Sequence, residues 1–302
     1  MEFYNKSIHT KAQLIKSVLG SIEMPFFKIN GYLNKHDLIV LNYHSTPLKF
    51  KDNFEKQINF YQAHFSIISP NDLKNFYANK LESKKPKLLI TFDDGLSNNK
   101  YALQILDKYK IKALLFIVPD FIAATQQKEY YTTHIRHEIN PFIDSQPEDF
   151  TALSWNELKE IIANGHLVGS HTMSHTLKAN TSDNEVLNRE ITTSKNSIES
   201  QLNISVENFS APFNSLFSVG EKEMSLIIKN YNYFHSTFPG SNYLNKNNYF
   251  IKRFNVECFW TIPNIIHTLG HIERFRWRKA RLSFEKLLKN SMKQFANVPM
   301  KQ

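Results

Sequence analysis

The sequence has one cysteine, Cys258, in 302 residues. A single thiol excludes an internal disulfide and any multi-cysteine metal site. Its setting, Val-Glu-Cys-Phe-Trp, is apolar enough to mark a buried structural thiol rather than a nucleophile. Long apolar runs are missing as well. No stretch of about 18 uncharged apolar residues could span a bilayer. The N-terminal segment lacks the apolar core and small-residue cleavage site of a secretory leader, so a soluble cytoplasmic protein is expected. There is no internal repeat and no low-complexity linker. No Walker loop, G-x-G-x-x-G or G-x-S-x-G occurs, which leaves nucleotide-binding and serine-hydrolase chemistry without a foothold. Acids are fewer than bases: 28 Asp and Glu against 37 Lys and Arg, a net charge of +9. Such a balance suits an anionic partner, a membrane surface or a phosphorylated carrier; a solvated Lys-rich surface is the plainer reading. No nucleic-acid motif accompanies the charge, and no nucleic-acid partner is expected.

What is present is core-forming sequence, 41% hydrophobic and 13% aromatic, enough for one large α/β domain. Continuous apolar runs at 37–45, 87–94, 112–119 and 166–171 predict buried parallel strands. VENFSAPF, NYFHSTF and YFIKRFNV supply three more. Helical periods fall between them, at 53–65, 96–110, 154–165 and 182–202. The third of these opens on Ser154 with Glu157 three residues on, a capping-box spacing, and places Trp155 at a core-facing staple position. This alternation predicts a parallel sheet or β/α barrel. Three regions are expected: a helical lead-in at 1–36, a catalytic domain at 37–257 and a basic helical extension at 258–302. The interval 122–153 is too long for an ordinary connection and reads as a cap over a site; His134 and His137 within it read as surface residues.

Two short stretches carry chemistry. Thr-Phe-Asp-Asp-Gly ends a strand on adjacent acids, Asp93 and Asp94, and like charges so close resist joint ionisation. A cation bound by one would relieve the other, which could stay ionised as a general base. His171 and His175 are four apart, so on a helical turn they would share a face, a common metal-ligand spacing. Both pairs lie just past strand ends, where β/α barrels gather their catalytic groups. Two histidines and one carboxylate make a three-ligand site with an open position, as a catalytic divalent metal requires.

Together, Thr-Phe-Asp-Asp-Gly, His-Thr-x-Ser-His and Pro212-Phe213 resemble the first three motifs of NodB-type polysaccharide deacetylases (carbohydrate esterase family 4-like). The resemblance covers about residues 37–257. Tyr43-His44 is similar to an element of the subgroup that contains poly-N-acetylglucosamine deacetylases. The resemblance implies a distorted (β/α) barrel that removes acetyl from an N-acetylated sugar in a surface glycan or its precursor. By motif position it makes Asp93 the general base, and Asp94, His171 and His175 the ligands of a divalent metal. Zn2+ is the first choice, and Co2+, Ni2+ and Fe2+ also suit such ligands. It makes the backbone N–H of Phe213 an oxyanion donor, with Pro212 and Tyr43 beside the substrate.

Two departures stand out. The family's third motif begins with an arginine that orients the base; here Ser210 takes that place, and Arg253 and Arg136 are the candidate substitutes. The Leu-x-His that supplies the general acid has a formal match at 269–271, with His267 nearby, but on a late helical stretch. His44, at a strand end, is the preferred proton donor. The alternatives are a non-catalytic glycan-binding relative and a de-O-acetylase. A glycosidase fits poorly, because its two carboxyls must stand about 5 Å or more apart and aim at one bond. The substrate is expected to be lipid- or nucleotide-linked. The basic, aromatic stretch 272–290, with Phe275, Trp277, Leu282 and Leu287, is either a packed helix or a peripheral contact to the inner membrane face.

Overall fold

The computed structural model describes residues 6–26, 35–136, 143–181, 183–213, 215–243, 249–270 and 275–296. Its strands are β1 (Asp37–Tyr43), β2 (Ser66–Ile67), β3 (Lys87–Phe92), β4 (Leu114–Ile117), β5 (Leu167–Ser170), β6 (Asn208–Ser210), β7 (Tyr233–His235), β8 (Asn242–Tyr243), β9 (Phe250–Ile251) and β10 (Phe254–Asn255). They form one sheet in the order β10-β1-β3-β4-β5-β6-β7-β9, with β2 against β3 and β8 against β1. Every pair along that path is parallel, and β8 alone runs antiparallel to its neighbour. The sheet curls into a nearly closed barrel. Its two edge strands, β9 and β10, are consecutive in the chain, so Lys252 and Arg253 carry the backbone across the seam.

Side chains alternate across each strand, and here the alternation sorts them into two environments. Ile39, Leu41 and Tyr43 of β1, with Leu88, Ile90 and Phe92 of β3, face the outer helices. Leu38, Val40 and Leu89 face the barrel interior, where Ile68, Leu73 and Phe76 plug the lower end. Continuing on that inner face toward the strand ends come Asn42, Thr91 and Asp93, all buried. The barrel is therefore apolar below and polar above.

The outer layer holds the predicted helices at Lys51–His64, Asn99–Lys108, Trp155–Ala163 and Asn184–Leu202, the last with a π turn at Arg189–Thr193. The Ser154 capping box forms, with Ser154 N–H and Oγ–H both donating to Glu157, and Trp155 packs against the main core. A further helix, Glu221–Asn230, was not anticipated. Residues beyond Cys258 join the same body. Phe284 of the C-terminal helix Arg278–Ala296 is fully buried and stacks on Phe234 and Phe250 at 5.5 and 5.1 Å. The N-terminal helix Lys6–Glu23 packs on the helix Ile262–Leu269. Among the described residues no helix is long and apolar enough to cross a membrane.

Candidate active site

The chain leaves β3 through two left-handed residues, Asp94 (φ 72°) and Gly95 (φ 66°). Gly95 needs its bare Cα for a second reason: an added Cβ would stand 2.9 Å from Ile117 Cγ2. The turn splits the adjacent acids. Asp93 stays in the barrel and Asp94 swings to the mouth.

Asp93 receives a fork of hydrogen bonds from the buried Arg253, 2.7 Å from Nη1 to Oδ1 and 2.9 Å from Nη2 to Oδ2. Asn42 Nδ2 donates a third, 2.9 Å to Oδ2. Burial alone would raise the Asp93 carboxyl; the Arg253 charge overrides it and holds the group below its ordinary value. Arg253 is itself fixed by Ser210 Oγ (2.7 Å), Asn42 Oδ1 (2.9 Å), Thr91 Oγ1 (3.2 Å) and the Ser236 carbonyl (3.0 Å). Of the two candidate arginines, Arg253 thus reaches Asp93, from the barrel seam. Ser210, at the position of the missing arginine, is one of its anchors. Arg136 lies elsewhere, at the pocket rim, 3.9 Å from Asp144.

Asp94 Oδ1 lies 3.5 Å from His171 Nε2 and 3.4 Å from His175 Nε2. Burial would raise its pKa, but the two imidazoles outweigh this and keep it well below the carboxylate range. The helical turn anticipated for the histidines is absent. After β5 the chain forms an irregular turn, with Thr172 (φ 68°) and His175 (φ 65°) left-handed and the His175 N–H donating to Thr172 Oγ1 at 3.0 Å. This coiled backbone, not an α-helical face, brings the rings together, with centroids 5.0 Å apart. Each ring is oriented through Nδ1, which donates to a carbonyl: Ser210 O at 2.8 Å for His171, His134 O at 2.7 Å for His175. A carbonyl can only accept, so in the neutral rings Nε2 keeps its lone pair. Burial lowers the pKa of both. For His171 the charges of Asp93 and Asp94 reverse this and raise it; His175 stays lowered.

One carboxylate and two such imidazoles, all buried with ligand atoms within 4.8 Å of one another, are a donor set that fits a divalent cation. Of the residues in the cap-like interval, His134 takes part through its backbone carbonyl, and His137 lies outside the described residues. Left-handed, strained backbone concentrates here, at Asp94, Thr172, His175 and Phe213 (φ 56°), as is common where a fold over-determines a functional geometry.

These groups open into a cavity of about 350 Å³. His44 lines it, as do the half-exposed Phe213, whose ring stands edge-on to His175 at 4.6 Å, and Tyr131, Ile135 and Arg136 from the interval 122–153. Pro212 is buried next to Phe213, its carbonyl accepting from Ser218 Oγ. Tyr43 corrects the expectation that put it beside the substrate. As an odd-numbered residue of β1 it faces outward, where its hydroxyl meets Gln57 and Tyr61 at 2.8 Å each and its ring packs on Phe54 and Phe92. His267 is paired with Glu23 at 3.3 Å, outside the cavity lining, and residue 271 lies outside the described residues. Cys258 is buried and donates to the Ser45 carbonyl. The motif reading missed Thr237, Asn255, Glu257 and Trp277, which complete the cavity wall, and Asn42 and Thr91, which brace Arg253. Only the last two had a signal in the sequence, a polar residue on the inward phase of an apolar strand.

A parallel barrel with an Asp-Asp-His-His cluster at the C-terminal ends of its strands defines the class: a (β/α) barrel with a buried, polar, cation-ready centre. The family model described as polysaccharide deacetylase matches residues 80–233, just over half of the chain, and the protein belongs to that family. Solved structures share the fold. Deacetylase PplD of Streptococcus pyogenes, in complex with acetate, is 18% identical over 78% of this chain and 100% of its own, with a TM-score of 0.57. For IcaB from Ammonifex degensii the values are 19%, 78%, 97% and 0.58. For a de-N-acetylase from Aggregatibacter actinomycetemcomitans they are 14%, 77%, 99% and 0.60. No curated protein matches the sequence. The family and the barrel inferred from the motifs are both borne out.

Proposed function

We propose that this polysaccharide deacetylase removes an N-acetyl group from an amino sugar of a glycan or glycan precursor, using a divalent cation held by Asp94, His171 and His175. The observation that carries the reading is the pairing of two carbonyl-oriented imidazoles, Nε2 inward, with Asp94 beside an arginine-clamped Asp93. When bound there, the cation supplies Lewis acidity toward the acetyl carbonyl and makes water a nucleophile at neutral pH.

The chain's own groups do the rest. Three donors occupy three of the roughly four lone-pair sites on the Asp93 carboxylate. The remaining site, ionised and fixed in direction, accepts the proton of the attacking water. The Phe213 N–H donates to the oxyanion of the tetrahedral intermediate. His44 returns a proton to the departing amine. Thr237, Asn255 and Glu257 offer hydrogen-bonding groups for sugar hydroxyls, with Trp277 beside them. Tyr131 and Ile135 cover the centre with apolar surface and limit water entry.

The Aggregatibacter actinomycetemcomitans protein that shares this fold is a de-N-acetylase, a likeness that supports amide rather than ester substrates. A lipid- or nucleotide-linked substrate met at the inner face of a membrane accords with the net charge of +9. The test is metal analysis of the purified protein followed by acetate release from matched N-acetyl and O-acetyl sugars, free and lipid-linked. Turnover of the O-acetyl compounds alone would replace this reading with a de-O-acetylase. Tight sugar binding without any acetate release, in metal-loaded protein, would make it a glycan-binding relative.

A further inference from the structure

The N-terminal helix Lys6–Glu23 is docked with its polar side inward. The face that meets the protein is small and polar. Ser17 Oγ bonds Thr261 Oγ1 at 3.3 Å, Asn264 Nδ2 donates to the Gln13 carbonyl at 2.8 Å, and Glu23 pairs with His267. Gly20 lies so close to the Pro263 carbonyl that no Cβ fits between them. The apolar face points away: Leu14 (64% exposed), Ile15 (60%), Val18 (55%) and Ile22 (61%), with Leu19 and Met24 also exposed. At about 100° per residue, the stripe through 14, 15, 18, 19 and 22 lies opposite the docked residues 13, 17, 20 and 23. Soluble helices ordinarily bury the apolar face and show the polar one.

We infer that this stripe is a docking face for an anionic phospholipid surface, on which the helix lies in the plane of the headgroups. Charge selects that occupant over a second copy of the chain. The helix carries Lys6, Lys11 and Lys16, and its one acid, Glu23, is engaged by His267. By the same helical period the exposed Lys11 falls on the apolar stripe itself, so two such stripes face to face would bring like charges together, whereas a basic apolar face is what an anionic interface attracts. The surrounding protein has the same sign, +9 overall. The helix also borders the active-site end of the barrel. Lys16 Nζ lies 5.2 Å over the Trp260 ring, three residues beyond Glu257 of the cavity wall. The inference does not depend on the chemistry proposed for that cavity.

The experiment is co-sedimentation of the full chain with vesicles of phosphatidylglycerol and phosphatidylcholine, or of phosphatidylcholine alone, at about 50 mM and about 500 mM salt. The wild type should bind the anionic vesicles and be weakened by salt. Leu14→Ser, Val18→Ser and Ile22→Ser together should lower the bound fraction roughly tenfold or more, with the melting temperature unchanged because these side chains are exposed. Phe275→Ser with Leu282→Ser should leave binding near the wild-type level. A fluorophore on Ile15→Cys, selective because Cys258 is buried, should shift to the blue on binding. The inference is overturned if the triple variant binds as wild type does, or if the Phe275/Leu282 pair abolishes binding instead. A wild-type dimer that the triple variant makes monomeric, without vesicle binding in either, would also overturn it.

Discussion

Asp93 leans into the barrel and meets a guanidinium, whereas Asp94, one residue on, turns to the mouth and meets two imidazoles. The difference lies in the partner's chemistry. Arginine keeps its charge at any working pH and donates through a rigid fork, so Asp93 is ionised and fixed in direction whatever else binds. An imidazole is neutral or charged by circumstance, and once neutral it offers a lone pair that a cation can share with the carboxylate. One acid is thus neutralised permanently and the other exchangeably, which is how adjacent carboxylates can hold separate roles without competing for one ion.

Breaking the exchangeable half should have the largest effect. His171→Ala and His175→Ala each remove one of three donors. Both should lose bound metal and drop activity more than about 10³-fold, with the barrel still folded by circular dichroism. Full metal occupancy in either variant would be incompatible with the ligand assignment.

On the other half, Asp93→Asn should separate binding from turnover. Metal content should stay at the wild-type level while kcat falls about 10²- to 10⁴-fold, the usual share of a general base. Activity within a few-fold of wild type would move the base elsewhere. Arg253→Met acts one step further back. It strands a buried carboxylate, so a loss of about 3–5 kcal/mol in stability is expected from denaturant unfolding, together with a smaller fall in kcat than Asp93→Asn gives. Arg253→Lys keeps the charge but not the fork, and should recover stability better than rate.

The end of the barrel away from the site supplies a comparison through pH. His166 is buried with Nδ1 accepting from the Ala113 N–H at 3.0 Å, and burial lowers its pKa even though Asp107 stands 3.1 Å from Nε2. A histidine held neutral in the folded state takes up its proton more readily when unfolded. Its contribution to stability is therefore intact above the unfolded value of about 6.5 and declines as pH falls from there toward the lowered folded value. His235, buried beside Arg253 and lowered further, acts in the same direction. Unfolding free energy measured from pH 7.5 to 5 should decrease, and His166→Gln should flatten part of that slope.

Much of this was readable in the chain because strong local signals coincide with the site. Buried parallel strands appear as unbroken apolar runs, and the acids and histidines that follow them sit at one end of a barrel by topology alone. The spacing of His171 and His175 led to the right grouping through the wrong backbone, since an i, i+4 interval can be met by a left-handed turn as well as by a helix. Arg253 could be named as a candidate but not selected over Arg136. Choosing between them depends on the seam between β9 and β10, a long-range feature with no local pattern. The helix Glu221–Asn230 opens on Gly220 with no side-chain cap of the usual kind, so its start carried little signal. Trp277 and Glu257 reach the cavity from outside the motif-bearing strands and could only be found in three dimensions.

Tyr43 provides the smallest and sharpest test, because motif resemblance and strand periodicity disagree about it. Resemblance sets it beside the substrate with His44. Periodicity puts it on the outward phase with Ile39 and Leu41, and there the structure places it, its hydroxyl between Gln57 and Tyr61. Burial, with Tyr61 adding to it, pushes the phenol pKa far up, so the group stays neutral and serves only as a hydrogen-bond partner. Tyr43→Phe keeps the ring packing and deletes that partner. Unfolding should become easier by about 1 kcal/mol, a little more if the Gln57 carbonyl oxygen is left unsatisfied, while kcat and KM stay within about twofold of wild type. A stable variant with a raised KM would return Tyr43 to the substrate side, and with it the view that the Tyr-His pair acts as a unit.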